Sequence, residues 1–475
     1  PDAVVISGAT VWTCGPDGIL SPEDEDTLVV LKDGRIDYVG PEKSLRFPSG
    51  STNVLRIDAQ GKHVTPGLID AHSHTGLFRF GVNESSQAVT SECWIADSLD
   101  PGFINWYRQL AGGTTTANLL HGSANPIGGK SQIVKVRWGA PDAEAMFMKG
   151  AKPGIKFALG ENVKQSNWGD TKTTRYPQTR MGVETIMRDR FQAAREYASR
   201  GMMTESGRKN LELEALAEIL AGDRLVHCHS YRQDEILMLC RVAEDFGFTI
   251  GTFQHGLETY KVAETVREHA IGASIFSDWW AYKVEVQDAI PFAGPINHEA
   301  GLLTSFNSDD DGLARRLNLE AAKAVKYSSG RVSPEEALKF VTINPAIMLG
   351  IGDRVGSIEP GKDADIVVWS GDPLSSFSRP EHVFIDGREY FSIELDRSLR
   401  ARNAAERERI IQKILGEHDA DTNGSKDDEE EDGEIDIHMV DSPPFAFADL
   451  DPTTISRPGD CGCTDAHHQR QFNDR

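Results

Sequence analysis

Between Thr65 and about Gly350, short apolar runs alternate with stretches whose apolar residues recur every three or four positions. Gly154-Ile155-Lys156-Phe157-Ala158-Leu159, Arg224-Leu225-Val226-His227 and Thr249-Ile250-Gly251-Thr252-Phe253 read as buried strands. Asn210 to Leu220, Asp234 to Phe246 and Leu313 to Val325 read as amphipathic helices. Strand, loop and helix in repetition predict a parallel sheet, and roughly 285 residues of it suit a (β/α)8 TIM-like barrel over residues 65–350. A doubly wound sheet is disfavoured, because no glycine-rich phosphate loop follows an early strand. Ser333-Pro334-Glu335-Glu336 opens a capped helix that leads to Asn344-Pro345 and closes the barrel.

The flanks have a different texture. Residues 1–64 hold short strands, among them Ala3-Val4-Val5-Ile6 and Leu28-Val29-Val30-Leu31, with Lys32-Asp33-Gly34-Arg35 as a hairpin turn. Similar runs return within 351–395, as in Asp365-Ile366-Val367-Val368-Trp369. Neither piece can close a core alone, so a small β-sandwich domain formed from both ends of the chain is expected, with two separate hairpins on the barrel as the alternative. A helix follows over residues 396–417, and residues 418–475 read as an acidic, Pro-containing extended tail. Such a tail suits packing along a neighbouring subunit of a homo-oligomer.

Charge and cysteine content narrow the partners. Acidic residues number 73 against 50 basic ones, a formal net charge of −23, which argues against nucleic acid and against an anionic membrane surface, and leaves a small-molecule substrate. Part of that excess is the run Asp427-Asp428-Glu429-Glu430-Glu431-Asp432. No apolar run approaches a membrane span. Cys14, Cys93, Cys228 and Cys240 read as buried free thiols, and the spacing of Cys461 and Cys463 near His467 and His468 matches no strong zinc pattern. A chain starting at Pro1 fits a cytoplasmic protein and equally one that has lost a signal peptide, so the compartment stays open.

The chemistry concentrates at strand ends. Pro66-Gly67-Leu68-Ile69-Asp70-Ala71-His72-Ser73-His74 is an apolar strand that finishes in two histidines one residue apart. Residues i and i+2 of a strand face the same side, so both imidazoles can share one metal at the barrel mouth, where such folds keep their active sites. His227-Cys228-His229 and His255 end later strands in the same way. His227 and His255 are the preferred ligands, and His229 either replaces His227 or contacts substrate. Ser305-Phe306-Asn307-Ser308-Asp309 ends a further strand in a carboxylate that can bind metal and take a proton from its water. Asp310 and Asp311 compete with it as caps of the next helix. Tyr176 and Arg180, in a polar insertion after the fourth strand, are candidates to hold a substrate carboxylate, with a solvated loop as the plain alternative.

Taken in order, Thr65 to His74, His227, His255 and Ser308-Asp309 resemble the amidohydrolase superfamily, in its imidazolonepropionase-like and prolidase-like branch. Val355-Gly356-Ser357-Ile358-Glu359-Pro360-Gly361-Lys362-Asp363-Ala364-Asp365 is similar to the segment with which these proteins return to their β domain, so the resemblance covers about residues 3–391. It implies one or two divalent ions per chain, with His72 and His74 on one, His227 and His255 on the other, and Asp309 as proton shuttle. A bridging carboxylate is implied as well. Lys156, carboxylated, resembles the family's bridge, but Glu161 offers a carboxylate without modification and is preferred here, since an unmodified lysine would set a cation beside the metals. The loop His121-Gly122-Ser123-Ala124-Asn125-Pro126-Ile127-Gly128-Gly129 also resembles one of this branch and makes His121 a candidate substrate contact.

The expected activity is metal-dependent hydrolysis of a C–N bond in an amide, cyclic amide, N-acyl amino acid or dipeptide, by metal-activated hydroxide. Zinc is favoured, with manganese, iron or cobalt as alternatives. A mononuclear deaminase of a nucleobase-like ring is the rival reading, although the His-x-x-Glu arrangement it commonly uses is not found at the right place. A non-catalytic scaffold on the same fold is the third.

Overall fold

In the computed structural model, the strand from Leu68 to Ser73 (β1) begins beside Gly67, where a Cβ would lie 2.0 Å from the Thr115 hydroxyl oxygen. Only glycine lets the chain pass that closely to the next strand, Thr114–Leu119 (β2), which pairs parallel to β1. The structure describes residues 1–22, 27–42, 53–78, 81–164, 174–203, 207–279 and 282–424, with backbone alone over 417–424. Ile127–Lys130 (β3) and Gln132–Lys135 (β4) come next, followed by Gly154–Ala158 (β5), Leu225–His229 (β6), Ile250–Gln254 (β7), Ala270–Ile275 (β8) and Thr304–Phe306 (β9). Strands β5 to β9 pair in parallel, each with the next.

The expectation of eight parallel strands meets one exception. β4 runs antiparallel to β2 and β3 antiparallel to β5, so the third position is filled by a reversed ribbon, and the strands fall into a six-stranded and a three-stranded sheet. Lateral contacts bring β9 back to β1: the Asp309 amide donates to the His72 carbonyl at 3.1 Å, and the Ser308 amide to Asp70 Oδ1 at 3.0 Å. Helices Arg180–Ser199, Leu211–Leu220, Gln233–Phe246 and Leu317–Tyr327 alternate with these strands. The core between the layers holds Leu68, Ile155, Val226, Ile250, Phe253 and Phe306, each at most 1 % exposed. Ser333 caps the Pro334–Lys339 helix through a capping box with Glu336.

The two ends of the chain meet. His63–Pro66 pairs antiparallel with Ile366–Trp369, in a six-stranded sheet that also holds Thr10–Trp12 and Pro380–Ile385. A four-stranded sheet built on Ala3–Ser7 shares with it a cluster that includes Ile6, Val29, Val64, Ile366 and Phe384. Lys135, fully buried at the end of β4, carries Asp363 (2.7 Å), Asp365 (3.0 Å) and Asp386 on one ammonium and so ties the three-stranded sheet to this unit. The last helix runs from Ile393 to Gly424, longer than expected, and most of its described side chains are exposed. The acidic run 427–432, Ser442-Pro443-Pro444 and the Cys461, Cys463, His467 and His468 group lie outside the described residues. Cys14, Cys228 and Cys240 are buried free thiols, whereas Cys93 is only partly buried. Among the described residues, no helix is long and apolar enough to cross a membrane.

Candidate metal centre

Nε2 of His72, Nε2 of His74 and Oδ1 of Asp309 form a triangle with sides of 3.3, 3.2 and 3.4 Å. Neighbouring groups fix which ring nitrogen points inward. Nδ1 of His72 donates to Gln254 Oε1 at 3.2 Å, and Nδ1 of His74 to the Leu120 carbonyl at 2.9 Å. Both Nε2 atoms therefore turn towards each other and a carboxylate oxygen, with Lys156 Nζ 3.0 Å from that of His72, an arrangement that a bound cation would stabilise. Donors spaced in this way suit one first-row divalent ion at about 2.0–2.2 Å from each. The same three residues form the one cluster with metal-ligand spacing among the described residues.

Burial favours the neutral form of His72, His255 and His227, the form a metal ligand needs. His72, fully buried beside Lys156, sits well below the ordinary histidine range, and burial takes His255 and His227 down to about 3. Asp309 is also buried, which works to raise its carboxyl, but His255, His74 and Lys156 outweigh that and hold it below the usual carboxylate range. His255, 0 % exposed, has no hydrogen-bond partner on either ring nitrogen among the described residues, and its Nε2 lies 3.4 Å from Asp309 Oδ2. A buried ring without a proton partner is the mark of a ligand position. His255 and Asp309 both sit at positive φ, 61° and 50°, which turns their side chains inward at the strand ends.

Other expected residues take different places. His227 turns its ring towards Gly154, the first residue of β5, where a glycine Cβ would lie 2.8 Å from His227 Nε2, and its Nδ1 bonds the Thr252 hydroxyl at 2.8 Å. His229 is the one beside His255, with ring centroids 5.1 Å apart. His227 and His229 share one face of the strand, with His227 a step deeper, away from the rim. Lys156 brings Nζ to 3.0 Å from His72 Nε2, and burial lowers its amine to about 7. Glu161 follows Gly160, whose φ of 84° turns the chain away, and its amide donates to Glu285 at 3.1 Å.

His121 is a brace within its loop. Nδ1 donates to the Gly122 carbonyl and Nε2 accepts from the Glu84 amide, both at 2.8 Å, which occupies the ring fully. Tyr176, 52 % exposed, bonds the Gly182 carbonyl at 3.1 Å. Arg180 is engaged with Glu235 and, at 3.1 Å, with Glu285. Asp310 bonds the Leu313 amide at 2.6 Å, the capping role weighed for it, and Asp311 accepts from Thr75 and Asn105.

Sequence reading gave no role to Asp70 or Gln254. Asp70 joins β1 to the Ser308 loop through the Ser308 hydroxyl and amide and the His72 amide, and burial raises its carboxyl to about 7. Its place two residues before His72, on the same strand face, was the available signal.

Residues 63–390 match the model of the amidohydrolase family, well over half the chain. This chain belongs to the amidohydrolase family. Among curated proteins, this amidohydrolase is 32 % identical over 432 residues to amidohydrolase tasK of Hapsidospora irregularis, covering 82 % of this chain and 43 % of that protein. It is 47 % identical over 374 residues to imidazolonepropionase of Thermoplasma volcanium, covering 72 % and 84 %. The chain thus spans less than half of one curated relative and most of the other. A solved amidohydrolase from Thermotoga maritima aligns with a TM-score of 0.72 at 33 % identity, over 82 % of this chain and all of that one. A structure described as a prolidase from Bifidobacterium longum shares the fold, with a TM-score of 0.54 at 19 % identity. These neighbours make the fold α/β of TIM-barrel type.

Proposed function

We propose that this amidohydrolase cleaves the C–N bond of an amide, cyclic amide, N-acyl amino acid or dipeptide. The observation that carries the reading is the triangle of His72, His74 and Asp309, whose lone pairs converge on one point. A divalent ion held there would supply an acidified water and polarisation of the scissile carbonyl. His72 and His74 bind through Nε2, oriented by Gln254 and Leu120. His255 and His229, in place of His227, would hold a second ion, with Lys156 as its carbamate, rather than Glu161, as a further ligand. Asp309 accepts the proton of the attacking water on a carboxylate oxygen and returns it to the departing nitrogen. Zinc suits the imidazole and carboxylate donors, with manganese, iron and cobalt as the other candidates.

Screening the metal-loaded protein against N-acyl amino acids, Pro-containing dipeptides and cyclic imides tests this reading. Turnover that disappears on chelation and returns with the ion is expected; no hydrolysis of any class by fully loaded protein overturns it. A second reading has specific support: guanine deaminase of Escherichia coli is 25 % identical over 426 residues, and one ion suffices for the triangle. A single equivalent of metal per chain, with ammonia released from purine bases, would favour the deaminase; two equivalents favour the amide hydrolase.

A further inference from the structure

Strands β5, β6 and β7 set Lys156, His227 and Thr252 side by side in register, with His229 and Gln254 one step nearer the rim on the same face. Each is at most 2 % exposed. A polar group in such an interior is costly unless it is hydrogen-bonded, so the direction of each bond follows from its neighbours.

Gln254 fixes that direction. Its amide nitrogen lies 3.3 Å from the Ala71 carbonyl and 2.7 Å from the Thr252 hydroxyl oxygen, while Oε1 faces Nδ1 of His72 at 3.2 Å. Turning the amide over would set Oε1 against the Ala71 carbonyl, one acceptor against another. The amide therefore donates to Ala71 and Thr252 and accepts from His72, whose proton is on Nδ1. Thr252 takes one hydrogen bond from Gln254, which leaves its own O–H for Nδ1 of His227, 2.8 Å away. Four groups thus run head to tail, from His72 through Gln254 and Thr252 to His227, and bonds in such a chain polarise one another. His227, which has no place in the metal triangle, is the terminal acceptor.

Other groups pull the His72 proton the opposite way. Nε2 of His72 lies 3.4 Å from Asp309 Oδ1 and 3.3 Å from Nε2 of His74, which the Leu120 carbonyl keeps bare. Either acceptor draws a proton onto Nε2, the atom that must be free for an ion. The Lys156 ammonium, 3.0 Å from the same atom, opposes this, but as a carbamate it would be a third acceptor.

We propose that His227, Thr252 and Gln254 are positioning residues that hold the His72 proton on Nδ1, so that Nε2 is open to the first ion before that ion arrives. This rests on the reading above, in which His229 and not His227 serves the second ion. None of the three touches substrate or the reacting atoms.

Isotope-edited NMR of the histidine ring nitrogens in metal-free protein reads the tautomer directly, the His72 signal being the one absent from His72→Gln. Competition with a chelator reads the affinity for zinc. Wild type is expected to carry the proton on Nδ1. Thr252→Val, which keeps the shape and removes the hydroxyl, should move part of the His72 population to Nε2–H and weaken zinc by about 10–100-fold, and Thr252→Ser should restore both. Gln254→Leu should act in the same direction and at least as strongly. A purely structural role for these side chains would alter stability and leave the tautomer where it was. A proton on Nε2 in metal-free wild type, or a tautomer and zinc affinity unchanged in Thr252→Val, overturns the proposal, and the wild-type spectrum needs no variant to fold. If wild type binds no zinc, the metal-centre reading falls and the relay with it; if zinc binds but the proton sits on Nε2, the relay alone falls.

Discussion

Lys156 holds its side-chain nitrogen 3.0 Å from Nε2 of His72, in an interior where neither side chain meets solvent. Burial brings the amine to about 7, so near neutral pH much of it is uncharged and nucleophilic. A neutral amine adds CO2 to give a carbamate and releases one proton, which turns a cation into a bridging carboxylate. Lys156→Met is therefore expected to lower metal content from two equivalents to one. Wild type reconstituted without CO2 should do the same, and bicarbonate should restore the second ion. Two equivalents in Lys156→Met would return the bridge to Glu161.

Asp309→Asn keeps one oxygen donor but cannot accept a proton. Its kcat should fall by about 10²–10⁴-fold while metal analysis still finds the ion. Activity near wild type would remove Asp309 from proton transfer.

The two histidines of β6 should separate cleanly. His229→Ala is expected to lose one equivalent of metal, whereas His227→Ala keeps both and loses stability through its broken bond to Thr252. The opposite pattern in metal analysis would restore His227 as the ligand.

Lys135→Met leaves Asp363, Asp365 and Asp386 without their shared cation. Breaking a buried charge network costs about 3–5 kcal/mol, so the midpoint of denaturant unfolding should drop markedly. An unchanged midpoint would mean that Arg137 and Arg354, which also bond these acids, suffice.

Burial holds His121 down to about 4, against 6.5 when free. The unfolded chain thus binds the extra proton between these values, and stability falls as pH drops from about 6.5 towards 4. Protonated Nε2 could no longer accept from the Glu84 amide. Thermal melts at pH 7 and 5 should show a smaller loss in His121→Asn than in wild type; equal losses would place the titration elsewhere.

Much of the site was legible because strand alternation is local information. His72 and His74 follow from i, i+2 parity at the end of an apolar run, and His255 and Asp309 from the same strand-end position. Depth along a strand is not local: His227 and His229 have identical parity, and only the packing of His227 against Gly154 separates them. The reversed β3–β4 ribbon was hidden for a related reason. Ile127-Gly128-Gly129-Lys130 lacks the apolar run that marks a buried strand, and its glycines are small because the His121 ring lies against them, 3.0 Å from a Gly128 Cβ.

The pairing of His63–Pro66 with Ile366–Trp369 bears on how the molecule is made. Roughly 300 residues separate the two edges, so at about 5–20 residues per second a ribosome needs some tens of seconds to deliver the second after the first. During that interval Val64 and its apolar neighbours await their cover, and the intervening strands and helices have to fold between the halves of a unit that cannot yet close. Nascent chains stalled before Ile366 should therefore be the ones that chaperones hold longest.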